Sequence, residues 1–382
     1  MAKNLVIPLT GLVLTIVFGA IPLKAQRFSV ETLVFLPEVV HESSGIIYLN
    51  DKIVTHNDGG GEAVLYEIDP ETGELSAELV VSNSTNQDWE ELTFDQQHIY
   101  IADIGNNDGE RTDLRFYQIN LISYFQRTNN MLSADTIRFS YENQLSFDAD
   151  PRTNFDAGAV ISYGDSLYIF TRNWGDLHSN IYSLPKIPGD HIAKQIGRIN
   201  PEGLITGAVY NPYVNEIMLT GYTFNGPFLF RLWDFEGPDF SQAKTKKLSF
   251  ELPGSFQIEG IEAIDETEYL ITSESNDLGD AMLFKVDTDF VVGLPGLKQQ
   301  ELVIFPNPAQ DYVSFRGLNE KVKQVVLTDV LGVKISALNL ISSSERLMQL
   351  NISALPNGLY HLRIETAQNQ YLHRLLIDHG GN

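Results

Sequence analysis

The chain contains no cysteine. Disulfides, thiolate nucleophiles, zinc–thiolate centres and an acyl anchor on an N-terminal cysteine are therefore excluded. Basic residues are scarce: 26 Lys and Arg stand against 50 Asp and Glu, a formal charge of −24. Phosphate backbones reward clustered cations, so this balance argues against a nucleic-acid partner. Histidines such as His98, His178 and His191 are scattered and suggest no zinc constellation. No G-x-S-x-G elbow occurs, so a serine-hydrolase triad on that pattern is unsupported. Long apolar runs are absent with one exception, at the N-terminus.

That exception reads "MAKNLVIPLTGLVLTIVFGAIPLKAQRFS". Lys3 opens it, an apolar run follows from Leu5 to Leu23, and "LKAQ" offers a cleavage site after Ala25. This is the order of a secretory signal, expected at 1–25. The run approaches spanning length, so an uncleaved anchor is the alternative. Pro8, Gly11, Gly19 and Pro22 favour cleavage, which would leave no transmembrane segment.

What is present is apolar and aromatic. The 382 residues are 43% hydrophobic, with 21 Phe and 16 Tyr, enough for the cores of two domains. The acidity suits solubility outside the cell, or the oxygen ligands that calcium prefers.

Five stretches repeat one plan. They are "SSGIIYLNDKIVTHNDGGGEAVLYEID" from Ser43, "WEELTFDQQHIYIADIGNNDGERTDLRFYQI" from Trp89, "DAGAVISYGDSLYIFTRNWGDLHSNIYSL" from Asp156, "ITGAVYNPYVNEIMLTGYTFNGPFLFRLWDF" from Ile205 and "IEAIDETEYLITSESNDLGDAMLFKVD" from Ile261. Each has a first strand, a turn, a second strand, a polar Asn/Asp/Gly loop and a third strand. Spacings of this size suit propeller blades. "ELSAELVV", "DTIRFSY", "KQIGRI" and "TKKLSFEL" are expected as fourth strands, and "RFSVETLVFL" at the mature N-terminus is expected to complete the last blade. Closing the ring in this way removes exposed sheet edges. The expected fold is all-β: a five-bladed β-propeller over 26–290, six-bladed if 121–152 hides a further unit. A linker at 291–300 leads to a small Ig-like β-sandwich at 301–382.

Aligning the units stacks Gly45, Glu91, Gly158, Gly207 and Glu262 at the first strands. At the second-strand ends it stacks His56 with Asp58, Asp103, Arg172 with Trp174, Tyr222, and Glu274. In a propeller these positions converge on one end of the channel. For calcium, Asp58, Asp103 and Glu274 are the candidates, on loops such as "HNDGGGE" and "DIGNNDGE". The competing reading is that Asn, Asp and Gly simply make turns there. For hydrolysis, Glu91, Glu262 and His56 are the catalytic candidates, with Glu90 and Asp103 beside them. The competing reading has Glu90 and Asp103 accepting backbone N–H bonds that tie blades together. For an extracellular ligand, Arg111 and Arg172 offer charge and Trp174 and Tyr222 offer aromatic faces, while Trp89 suits the core between blades.

The series "ESSGI" at Glu42, "DWEEL" at Asp88, "DIGNN" at Asp103 and "NFDAGAV" at Asn154 resembles a family of secreted bacterial propeller-like proteins. That resemblance spans about 42–287. It implies a propeller whose relatives carry esterase-like or phytase-like labels. Gly158 stands where that family usually has Glu. Further on, "FPNPAQDYV" at Phe305, "DVLGVKI" at Asp329, "LPNGLYHLRI" at Leu355 and "HRLLI" at His373 resemble the sorting domain of the type IX secretion system. This implies export to the periplasm, recognition by the type IX machinery, and secretion or display at the outer-membrane surface, often with removal of the domain.

Overall fold

The computed structural model describes residues 29–250, 252, 257–276, 279–288, 303–316, 322–329, 334–335, 339–344, 347–365 and 370–379. The expected signal peptide and linker lie outside the described residues. No helix among the described residues is long and apolar enough to cross a membrane.

The N-terminal strand is β1 (Ser29–Phe35). The first unit is β2 (Ser43–Leu49), β3 (Lys52–Asn57), β4 (Val64–Ile68) and β5 (Leu75–Val81). The second is β6 (Trp89–Phe94), β7 (His98–Asp103) and β8 (Arg115–Asn120); after α1 (Leu121–Phe125) and the short β9 (Met131–Leu132), it is completed by β10 (Asp135–Tyr141). The third is β11 (Ala157–Tyr163), β12 (Ser166–Thr171), β13 (Ser179–Pro185) and β14 (Gly189–Ile199). The fourth is β15 (Leu204–Asn211), β16 (Glu216–Thr223), β17 (Gly226–Trp233) and β18 (Lys244–Ser249). The fifth is β19 (Ile258–Ala263), β20 (Glu268–Ser273) and β21 (Met282–Asp287), and β1 pairs with β21 as its outer strand. The stretch 121–152 thus supplies α1, a two-residue addition to the edge of β5, and β10.

The chain order of strands runs from the centre of the ring outward in every unit. The innermost strands touch in a cycle: β2 meets β6, β6 meets β11, β11 meets β15, β15 meets β19, and β19 returns to β2. These strands are buried on both faces, which suits their mainly small and apolar residues; the glutamates of β6 and β19 are the exceptions. Outer strands β5 and β10 alternate exposed and buried residues, as a strand with one wet face must. The outer strands β10 and β14 also pair in parallel, joining units two and three into one eight-stranded sheet and covering two edges.

Every innermost strand carries a bulge near its start, at Ser43/Ile46, Trp89/Glu91, Ala157/Ala159, Ile205/Gly207 and Ile258/Ile261. There the backbones come very close. A Cβ on Gly207 would lie 2.2 Å from the Glu259 carbonyl oxygen, and one on Gly45 would lie 2.1 Å from the Leu92 nitrogen. Gly158 packs against Thr206 and Gly260 against Ser44 in the same way. Hydroxyls bridge the bulges: Ser44 donates to the Glu90 carbonyl at 2.7 Å and Thr206 to the Ile258 carbonyl at 2.7 Å. The ring is therefore glycine-seated at its narrowest level, with Glu91 the one side chain at that position.

Beyond the ring, β22 (Val303–Phe305), β23 (Tyr312–Arg316), β26 (Leu347–Asn351) and β25 (Asn339–Ser344) form one sheet. A second contains β24 (Gln324–Asp329), β27 (Gly358–Glu365) and β28 (Gln370–Ile377). Val313, Phe315 and Leu350 from the first share a core with Leu327, Tyr360, Leu362 and Leu375 from the second.

Candidate functional site

The mouth of the channel, where the innermost strands begin, is built from acids that precede or start those strands and from the loops after the second strands. Carboxylate oxygens of Asp58, Asp88 and Glu90 all lie within 4.8 Å of one another. Two glycines make this convergence sterically feasible. A Cβ on Gly105, in "DIGNN", would sit 2.2 Å from Asp88 Oδ2 and 2.5 Å from Glu90 Oε1; one on Gly59, in "NDGGGE", would sit 2.2 Å from Asp88 Oδ1. Both motifs therefore form a cradle around Asp88, which is more than turn chemistry requires.

Arg172 is the buried cation of this mouth. Its guanidinium pairs with Glu90 and, at 3.1 Å, with Asp156 Oδ2. Asp156 is fully buried and accepts from the Asn106 N–H at 2.8 Å, the Ala157 N–H at 2.9 Å and the Trp174 indole at 2.8 Å. Gly158 leaves its side-chain space to the Arg172 guanidinium, 3.2 Å from where a Cβ would stand. Trp174 and Tyr222 are half-buried at this end, and Phe224 is fully exposed.

The remaining acids hold protons more tightly than usual. Burial, with Asp58 and Asp156 nearby, pushes Asp88 up to about 6. Burial, with Asp58 and Glu42 nearby, pushes Glu274 up to about 7. Burial also raises Asp58, and it raises Glu90 well above the carboxylate range despite Arg172. Glu259 is raised by burial and by Glu274, and its Oε2 is buried without a hydrogen-bond partner. Six carboxyls (Asp58, Asp88, Glu90, Asp156, Glu259 and Glu274) thus surround one arginine. An all-oxygen donor set with excess negative charge suits a hard divalent cation such as calcium.

Several residues singled out from sequence lie elsewhere. Glu262 does not belong to the mouth: close backbone packing makes Gly260 the counterpart of Gly45 and Gly207, and Glu262 lies two residues further along. It sits at the far end of the channel, paired with Arg374 at 2.6 Å. Glu91 is fully buried at the narrow level, accepting the Leu92 N–H at 2.9 Å and the Ala208 N–H at 2.8 Å. Because Ala208 lies on β15, two units away, the side chain spans the channel as a strut and is not a free catalyst. His56 is fully buried, edge-on to Trp89 with ring centres 5.5 Å apart, and burial lowers it to about 4. It is a neutral core residue. Trp89 is fully buried as well, its indole N–H donating to the Thr85 carbonyl.

Asp103 and Arg111 form an ion pair. Asp103 Oδ1 accepts from Arg111 at 2.9 Å and from the Asp88 N–H at 3.1 Å, and Arg115 stands 3.4 Å from Oδ2. Arg111 also bonds Asp113 and the Gly105 carbonyl. Asp103 is thus a brace beneath the Asp88 loop, not a cation ligand, and Arg111 is spent internally and not poised for an anion. Asp88, Asp156 and Glu259 were missed. Their signal was an acid immediately before, or at the second position of, an innermost strand, in "DWEE", "NFDAG" and "IEGIE".

Comparison with known proteins adds one decisive match. Residues 303–378 match a family described as a secretion system C-terminal sorting domain. The chain carries a type IX sorting domain. No curated protein is significantly similar to the chain. Among solved structures, a putative TolB from Agrobacterium tumefaciens is 11% identical over 81% of this chain and 87% of its own, with a TM-score of 0.34. The WD40 domain of coronin from Toxoplasma gondii is 11% identical over 92% of this chain and 87% of its own, with a TM-score of 0.31. A quinoprotein alcohol dehydrogenase-like protein from Bacteroides thetaiotaomicron is 12% identical over 83% and 68%, with a TM-score of 0.31. None of these likenesses is close enough to transfer a ligand or an activity. The sorting domain implies recognition by the type IX machinery and export to the cell surface or beyond.

Proposed function

We propose that the ring, read as five blades, is a ligand-binding module of this exported protein, and that its binding centre is a divalent cation held at the channel mouth. The observation that carries the reading is the convergence of Asp58, Asp88 and Glu90 from two blades onto one point, cradled by Gly59 and Gly105. The unpartnered, buried Oε2 of Glu259 supports it independently. Asp58, Asp88 and Glu90 would hold the ion. The raised proton affinity of Asp88 and Glu274 is what a site built for a cation has when it holds none. Trp174, which donates to Asp156, and Tyr222, beside Arg172, would contact an extracellular ligand whose oxygens complete the coordination. Localisation at the cell surface or in the medium follows from the sorting domain.

A second reading makes the same mouth a cation-assisted hydrolase of an ester or phosphoester. One observation favours it: Asp88 is poised near 6 beside the cluster, a suitable range for a general base at neutral pH. Calcium titration followed by thermal melting, with ester and phosphoester panels on the same sample, separates the readings. A shift without turnover supports binding, and turnover that depends on calcium and Asp88 supports hydrolysis. No shift with calcium or any other divalent ion removes both.

A further inference from the structure

The far end of the channel is closed by the sorting domain, and the contact is chemically specific. Along β28, Leu375 and Ile377 face the sorting domain's own core, while Leu376 enters the core of the first two propeller units. Along β27, Tyr360 and Leu362 face inward, while Leu359 joins the propeller core. The sheet is thus buried on both faces. Arg374, on the propeller side, reaches the channel end. It donates to Glu262 Oε1 at 2.6 Å and to the Ala263 carbonyl at 2.8 Å. Its guanidinium lies 5.4 Å from the ring centre of Tyr48 and 5.3 Å from that of Phe94. Tyr213 adds its hydroxyl to the same group, and its ring lies tilted against His361 with centres 4.8 Å apart. Every propeller residue in this set comes from the end of an innermost strand or the turn after it, in four different units.

We infer that the far end of the channel is a guanidinium-binding pocket, selective for an arginine side chain, which the sorting domain fills with its own Arg374. An acid and a carbonyl take the donors of Nη2 and answer the charge, and two aromatic rings flank the guanidinium, while Nη1 is buried without a hydrogen-bond partner. A lysine ammonium would leave the paired rings less well used. Detachment of the sorting domain would vacate the pocket and open Glu262, the Ala263 carbonyl and the Tyr48 and Phe94 rings to an arginine from a peptide.

The test uses the full chain with Arg374→Ala, titrated with N-acetyl-arginine amide and, as the uncharged control, N-acetyl-citrulline amide. The expected result is arginine-amide binding about tenfold or more tighter than to the unaltered chain, little response to citrulline amide, and loss of the gain in E262Q/R374A. Arg374→Met keeps the stem over the rings and replaces Arg374→Ala if that variant does not fold. A second measurement needs neither: modification by phenylglyoxal, mapped by mass spectrometry, should spare Arg374 in the unaltered chain and reach it in Glu262→Gln. Equal binding of both amides, no gain in the Arg374 variants, or equal protection of Arg374 with and without Glu262 would overturn the inference.

Discussion

Truncating Glu91 tests the architecture at its narrowest point. Glu91→Ala leaves the Leu92 and Ala208 N–H groups fully buried without acceptors. Each such orphan costs about 1–3 kcal/mol, so the loss is about 2–6 kcal/mol, offset in part by no longer burying a carboxyl. Glu91→Gln keeps the volume, but its amide NH2 must face one of the two N–H groups, so it loses one bond and about 1–3 kcal/mol. For a domain of this size each kcal/mol moves the thermal midpoint by roughly 2–4 °C. Thermal and urea melts followed by far-ultraviolet circular dichroism should therefore rank the unaltered chain above E91Q and E91Q above E91A. If E91A melted within about 0.5 kcal/mol of the unaltered chain, the range of inert surface changes, the strut would be refuted.

Further outcomes concern the mouth and the histidines. Arg172→Met leaves Glu90 and Asp156 buried without their cation and should cost about 3–5 kcal/mol in urea melts, with part of the loss recovered in millimolar calcium. Gly105→Ala pushes its Cβ into both Asp88 and Glu90 and should weaken calcium binding about tenfold or more by calorimetry, a loss that Gly164→Ala, which meets no neighbour, should not produce. His56, lowered to about 4, and His361, lowered to about 3, are neutral when folded, so the unfolded chain takes up protons first and their contribution is lost as pH falls below about 6.5. Asp88 and Glu274 act oppositely: raised carboxyls favour folding at low pH and lose that contribution as pH rises through about 6 and 7. Asp88→Asn with Glu274→Gln should therefore steepen the acid-side decline in calcium-free urea melts between pH 7.5 and 5.

Much of the ring was readable because strands and turns alternate in each unit and because β1 had no other partner. The strands expected at 74–81, 135–141, 194–199 and 245–252 fall on the outer strands β5, β10, β14 and β18, and β1 joins β21. The site was read less well, for reasons of register. "IEGIEA" places two glutamates three residues apart on either side of Gly260, and a one-residue bulge decides which of them faces the mouth. A bulge leaves no trace in hydrophobic alternation, so the sequence points to Glu262 where the structure puts Glu259. The repeat register puts His56 at a second-strand end and so at the mouth; its burial against Trp89 depends on a tertiary contact. Glu90 and Glu91 are adjacent in sequence yet serve opposite purposes, one facing the mouth and one crossing the channel. Arg374 was hidden inside a motif that already had an explanation.

A divalent cation held at the mouth by Asp58, Asp88 and Glu90, as proposed, makes stability depend on calcium. The direct measurement is the thermal midpoint against calcium concentration, at pH 7.5 and pH 5.5, for the unaltered chain and Asp88→Asn. At one hundred times the dissociation constant, linkage predicts about 2.7 kcal/mol of stabilisation, or roughly 5–11 °C. The shift should shrink at pH 5.5, where Asp88 and Glu274 are protonated, and nearly vanish in Asp88→Asn. An unchanged midpoint at pH 7.5, or an equal shift in Asp88→Asn, would contradict the account.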